Sequence, residues 1–167
     1  GIISEGDPEI LVIINELLSK EKDKKLIFSL NLAKNSILAR FGNETEKLSA
    51  IVNLAGSTNN DIVNILRNIV ENESLSENIK IEANNSLQDS LRNIKLNNII
   101  KEGNLEILAI INELLSKEKD KNLILSLNLA KNSILARFGN KTEKLSAIAN
   151  LAGSTNNDIV NILRNIV

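Results

Sequence analysis

Residues 9–20 read EILVIINELLSK, and residues 106–117 read EILAIINELLSK. Their apolar residues recur at positions i, i+1, i+3, i+4, i+7 and i+8, which form one broad stripe on a helix with 3.6 residues per turn. The same spacing returns in IVNILRNIV at residues 62–70 and again at residues 159–167. The four segments therefore predict amphipathic helices, each burying one apolar face.

The four helices belong to a long internal repeat. Residues 9–70 recur as residues 106–167, an offset of 97, and only five of the 62 aligned positions differ. We therefore expect a first full repeat unit of two helical half-units at residues 2–98, a second, truncated unit at 99–167, and a fragment of a longer repeat protein. The differing pairs are Val12/Ala109, Lys25/Asn122, Phe28/Leu125, Glu44/Lys141 and Val52/Ala149.

Capping residues and glycines divide the chain into predicted helices. Asp7 before Pro8 suits the N-cap and the first helical position. Glycines after the helices predict turns with positive φ at Gly42, Gly56, Gly103, Gly139 and Gly153. The predicted helices are 8–20, 24–41, 45–55, 60–71, 76–101 (with Asn93 as the expected place of any break), 104–117, 121–138, 142–152 and 157–167.

A second motif of small residues recurs in three of these helices. It reads AKNSI at residues 33–37, ANNSL at 83–87 and AKNSI at 130–134. The stretch Ile79–Leu87 is similar to the second helix of HEAT repeats, with Ile79 as the aliphatic residue, Lys80 in the place of Arg, and Ala83 and Ser86 as the small residues. This resemblance to HEAT and armadillo repeats implies an all-α, right-handed or irregular α-solenoid of about three and a half units. The alternative fold is a compact multi-helix bundle in each 97-residue repeat.

The helix predicted at 24–41 has two contrasting faces. Leu26, Leu30, Ala33, Ile37 and Phe41 share one face and are expected in the core. The opposite face carries apolar residues among asparagines, which in a solenoid would line a concave recognition surface. The alternative is that this face packs on the helix near 45–55 and that the asparagines are satisfied internally. The candidate binding residues are Phe28, Asn31, Asn35, Leu38, Leu125, Asn128, Asn132 and Leu135.

Composition restricts the possible chemistry. The chain has no Cys, His, Met, Trp or Tyr. Disulfides, Cys or His metal sites and catalysis by His, Cys or Tyr are therefore excluded, and no acidic cluster has metal-ligand spacing. We expect a protein that is not an enzyme and that has no cofactor, no catalytic residue and no metal site.

Charge and hydropathy restrict the partners in a similar way. The net charge is −1, and the charged segment at residues 19–25 alternates in sign, so no nucleic-acid partner is expected. No apolar run approaches the length of a transmembrane segment. Arg40, Arg67, Arg137 and Arg164 recur at equivalent positions, where an arginine could recognise a carboxylate or phosphate or, more commonly, pair with a nearby group.

Three functional hypotheses follow. The first is a non-enzymatic helical-repeat scaffold or interaction module with a protein or peptide partner. The second is a helical lipid or apolar-ligand carrier of a microbial surface, because isoleucine and leucine occur on both faces of the helix at 24–41. The third is an engineered repeat protein. The sequence leaves the cellular compartment open, since the absence of cysteine is compatible with any redox environment.

Overall fold

The protein is all-α. A computed structural model describes residues 2–166, apart from the side chain of Ser4, and within them every regular element is helical. The chain forms two compact units, Gly1–Asn93 and Ile94–Val167. The helices are α1 Ile2–Glu5, α2 Ile10–Lys20, α3 Lys24–Phe41, α4 Glu44–Leu54, α5 Asn60–Glu71, α6 Glu77–Glu102, α7 Ile107–Lys117, α8 Lys121–Phe138, α9 Lys141–Leu151 and α10 Asn157–Ile166.

These bounds follow the predicted helices closely. α2 and α7 begin two and three residues later than expected, whereas α3, α5 and α8 have the predicted bounds. α6 runs without a break, although the boundary between the compact units falls directly after Asn93. The starts of α2 to α5 and of α7 to α10 are each separated by 97 residues. The repeat boundary at residues 98 and 99 stays a prediction from the sequence.

Side-chain caps explain why the helices begin where they do. The carboxylate of Asp23 accepts hydrogen bonds from the backbone N–H groups of Lys25 and Leu26 and so satisfies two donors at the start of α3. Asn43 and Glu46 form a capping box at the start of α4, and α9 begins with the same arrangement.

The prediction that Asp7 is the N-cap of α2 was wrong. The helix begins at Ile10, with Glu9 at the N-cap position. The Asp7 carboxylate nonetheless accepts from the backbone N–H groups of Glu9 and Ile10, at 2.9 and 3.3 Å. A separate turn that includes Pro8 thus comes before the helix.

The glycine predictions were right at two of five positions. Gly56 and Gly153 have positive φ, at 74° and 82°. Gly42 and Gly139 have φ of −64° and −68°, because each leads in extended conformation directly into the asparagine cap of the next helix. Gly103 also lacks positive φ. There the reason for glycine is space, since a Cβ would lie 2.9 Å from Cδ1 of Ile134.

One long helix organises each unit. In the first unit α3 packs against α1, α2, α4 and α5, and in the second unit α8 packs against α7, α9 and α10. Ala33 and Ile37 on the predicted core face of α3 are buried, whereas Leu26 and Phe41 at its two ends are exposed. The prediction was wrong at these ends because α3 has 18 residues and its neighbours α2 and α4 have 11 each, so neither neighbour covers its full length.

Candidate interaction surface

The apolar stripe on α2 is only partly buried. Ile14 lies in the core, but Ile13 is 58% exposed and Leu17 is 49% exposed. In the second unit Ile111 is buried, while Ile110 and Leu114 are 60% and 50% exposed. Each stripe is therefore buried at its centre and exposed along its outer edge. The outer stripe denotes these four exposed residues, Ile13, Leu17, Ile110 and Leu114.

The same apolar spacing on α5 has a different outcome. Its stripe is buried at the five positions from Ile62 to Ile69 that carry apolar residues. α5 packs against both α1 and α3, and α2 packs against α3. A stripe of this width exceeds what one neighbouring helix covers, and two helices pack against α5. Because α2 and α5 share the spacing, the sequence of the stripe alone does not mark which of them has an exposed edge.

A solvated polar rim borders the outer stripe. Glu16 pairs with Lys20 at 2.6 Å on α2, and Glu113 pairs with Lys117 at 2.6 Å on α7. All four side chains are mostly exposed, so each pair contributes little to stability. The result is an apolar edge beside charged groups, which is a common composition for interaction surfaces.

The predicted binding residues on α3 and α8 differ in accessibility. Phe28 is 65% exposed and its counterpart Leu125 is 64% exposed. The side chain of Asn31 is exposed and that of Asn128 is half-buried. Asn35, Leu38, Asn132 and Leu135 are all half-buried. Each half of the predicted set therefore lies along one helix of its own unit, with the accessible apolar residue near the start of the helix.

The inner asparagines make contacts within their own units. Oδ1 of Asn35 accepts a long hydrogen bond, 3.5 Å, from Nδ2 of Asn53 on α4. Oδ1 of Asn132 accepts from Nδ2 of Asn150 on α9 at 3.4 Å. These contacts favour the packing alternative for the two asparagines, whereas Phe28, Asn31 and Leu125 remain the accessible part of the predicted face.

A cleft of about 550 Å³ adjoins Phe28. Leu32, Asn53 and Leu54 form its wall, and residues 55–59 of the loop between α4 and α5 complete it. The loop contributes the hydroxyls of Ser57 and Thr58, so the cleft combines an exposed aromatic ring with hydrogen-bonding groups. Such a site suits a side chain of a partner that has an apolar body and a polar tip.

Two of the four repeated arginines are used to hold the main chain. Arg137 donates to the carbonyls of Ile100 and Lys101, at 2.7 Å each, and Arg40 donates to the carbonyl of Gly6 at 2.9 Å. Both guanidinium groups also lie over a phenylalanine ring, at 5.0 and 5.2 Å from the centroids. Burial lowers the pKa of both arginines by penalising the charged form. These two arginines therefore have a structural role, whereas Arg67 and Arg164 are exposed.

The cleft beside Arg137 has mixed charge. It measures about 480 Å³, and Lys101, Asp158, Asn161 and Asn165 contribute its polar groups. Asp158 would repel an anion and so opposes the attraction of Lys101 and Arg137 for a phosphate or carboxylate.

Within the described part of the chain, no cluster of three or more potential metal-ligating side chains occurs. None of the described helices is both long enough and apolar enough to cross a membrane. No protein-family model, curated protein or solved structure matches the chain.

Proposed function

We propose that this protein is a non-enzymatic interaction module built as a HEAT- or armadillo-like α-solenoid, with a protein or peptide as its partner. The observation that carries the proposal is the repetition of exposed large apolar side chains at equivalent positions of both units. Ile13 and Ile110 are 58% and 60% exposed, and Leu17 and Leu114 are 49% and 50% exposed.

Isoleucine and leucine that are exposed at helical spacing indicate a role in binding rather than in the folded core. Positions i and i+4 lie on the same helix face, so each outer-stripe pair forms a small continuous apolar edge. Removing such an edge from water on binding is favourable, at about 25 cal/mol per Å². The neighbouring charged pairs keep the edge soluble when no partner is bound.

The tandem arrangement adds a second effect. Two nearly identical edges in one chain can bind a repeated partner twice, and the second contact forms at a high effective concentration. The five differences between the copies leave all four residues of the outer stripe unchanged. The module is therefore suited to partners that present the same helix or peptide more than once.

Quantitative affinity enrichment from cells of the source organism, comparing the intact chain with two variants, tests the proposal. The first variant replaces Ile13, Leu17, Ile110 and Leu114 by serine. The matched control replaces the exposed Glu16 and Glu113 by glutamine, which changes the rim and keeps the apolar edge. A partner retained by the control and lost by the serine variant, with circular dichroism unchanged, supports the proposal.

Native mass spectrometry with organic extraction distinguishes the lipid hypothesis. A discrete fatty-acid or lipid mass that the serine variant still carries would favour an apolar-ligand carrier. Equal recovery of every protein by the intact chain and the serine variant would refute the outer stripe as the binding surface.

A further inference from the structure

The first half of α6 covers one side of the first unit. Ile79, Ala83, Ser86 and Ser90 are buried and follow a spacing of 4, 3 and 4 residues, the spacing of a helix that packs along another helix. Their small side chains at positions 83, 86 and 90 allow close approach. Within that unit, Oγ of Ser86 donates to the carbonyl of Ile51 at 3.1 Å.

Two backbone carbonyls anchor this half of α6. Ala55 donates its N–H to Val52, three residues back, rather than to Ile51. The carbonyl of Ile51 therefore lacks this partner in the last turn of α4 and accepts from Ser86 instead. The carbonyl of Gly56 accepts from Nδ2 of Asn93 at 2.8 Å.

The second unit has the corresponding surface without such a cover. Its residues Val160 and Leu163 are half-buried, whereas the equivalent Val63 and Leu66 of the first unit are buried. Ile166 is 37% exposed, and Ile148 is half-buried although Ile51 is fully buried. Position 69, the counterpart of Ile166, is only 5% exposed.

The two equivalent carbonyls of the second unit, those of Ile148 and Gly153, have the same local backbone geometry. Ala152 donates its N–H to Ala149, three residues back, as Ala55 does to Val52. Gly153 has φ of 82°, close to the 74° of Gly56, so the loop keeps its shape. Within residues 94–166, no side chain donates to the carbonyl of Ile148 or Gly153. The acceptor face denotes Ile148, Val160 and Leu163 together with the carbonyl of Gly153.

We infer that the acceptor face binds an amphipathic helix of the α6 type, supplied by another copy of the repeat. The occupant is recognised by an apolar residue, small residues at the close contacts, a hydroxyl for the carbonyl of Ile148 and an amide side chain for that of Gly153. This inference deepens the proposed interaction function and rests on it, but it uses a surface separate from the outer stripe.

One of the five differences between the copies, Glu44/Lys141, predicts which residue the bound helix should carry at its start. In the first unit Oγ of Ser76, just before α6, donates to the carboxylate of Glu44 at 2.7 Å. The equivalent residue of the second unit is Lys141, which donates and cannot accept. The acceptor face therefore prefers a helix with an acidic residue at the position that corresponds to Ser76.

A fluorescein-labelled peptide of residues 74–95, titrated into the intact chain, tests the inference. Fluorescence anisotropy should show saturable binding of one peptide per chain, and hydrogen exchange should slow around Ile148, Val160 and Leu163. The peptide variant Ala83→Glu places a charge at the close contact and should bind about tenfold more weakly or worse. The peptide variant Ser76→Asp should bind more tightly than the unchanged peptide, and Lys141→Glu in the chain should abolish that gain.

Matched chain variants separate the possible outcomes. Val160→Glu should weaken peptide binding, Leu163→Ala should weaken it less, and Ile110→Asp on the outer stripe should leave it unchanged. The inference is overturned by absence of saturable binding, by equal affinity for the Ala83→Glu peptide, or by protection confined to the first unit. Loss of peptide binding tests the acceptor face, and loss of partner enrichment tests the outer stripe. Because Ile110 belongs only to the outer stripe, its variant keeps the two tests separate.

Discussion

Arg137 should stabilise the second unit by joining α8 to the last turn of α6. Its guanidinium donates to the carbonyls of Ile100 and Lys101 at 2.7 Å each, and its Nε donates to the carbonyl of Ser133 at 3.0 Å. A hydrogen bond to a charged group contributes about 1.5–3 kcal/mol when it is well shielded. Arg137 is half-buried and water can replace it at these carbonyls, so we expect Arg137→Ala to cost about 2 kcal/mol in all.

Arg137→Lys separates charge from geometry. A lysine keeps a positive charge near the carbonyl end of α6, which is favourable by about 0.3–1 kcal/mol, but it cannot donate to both carbonyls through a planar fork. The expected loss is therefore about 1 kcal/mol, between those of the native chain and the alanine variant. Arg164→Ala is the matched control, because Arg164 is exposed, and it should change the free energy of unfolding by less than about 0.5 kcal/mol.

Native-state hydrogen exchange of the α8 amides measures these changes in the second unit alone. A loss of 2 kcal/mol should speed exchange about 30-fold in Arg137→Ala, since 1.4 kcal/mol corresponds to a factor of about ten. An acceleration below about threefold would show that these hydrogen bonds do not hold α8 to α6. Equal exchange rates in the lysine and alanine variants would attribute the stabilisation to the two carbonyl hydrogen bonds and would refute a contribution from charge.

Three further substitutions give separate tests. Ile37→Ala removes a fully buried side chain and should lower the free energy of unfolding by about 3–4 kcal/mol in urea denaturation; a loss below about 1 kcal/mol would contradict close packing there. Lys47 donates to the carbonyl of Arg40, and burial lowers the pKa of its ammonium group. The folded state therefore loses the ammonium proton at a lower pH than the unfolded chain, and the free energy of unfolding rises with pH between the folded and unfolded pKa values of Lys47. Lys47→Met should remove this gain in urea titrations at increasing alkaline pH, and an unchanged slope would refute the assignment. Asn31→Ala combined with Asn128→Ala should leave the melting temperature nearly unchanged and weaken binding of the partner protein. A large fall in melting temperature would show that both asparagines have a structural role.

The helices were predictable because their ends are set by neighbouring residues. Asp23 caps α3 through N–H groups two and three residues away, and Asn43 caps α4 with the help of Glu46. Such signals fit within a short window of sequence. The failure at Gly103 lies outside such a window, because the side chain that crowds this glycine is that of Ile134 on α8. At Gly42 the deciding signal is local, since the Asn43 cap follows directly and Gly42 has an extended backbone.

Burial was less predictable because it depends on how many helices pack around a stripe. α2 and α5 carry the same apolar spacing, yet the outer edge of one is exposed and the stripe of the other is buried. The two units show this directly, because Val63 and Val160 lie in identical nine-residue segments, yet Val63 is buried and Val160 is half-buried. Identical local sequence cannot account for that difference. In the first unit, Ser86 and Asn93 of α6 donate hydrogen bonds to the carbonyls of Ile51 and Gly56, and no side chain of residues 94–166 does so at Ile148 and Gly153. The faces left uncovered, rather than the repeated motifs themselves, are therefore the surfaces on which the proposed interactions rest.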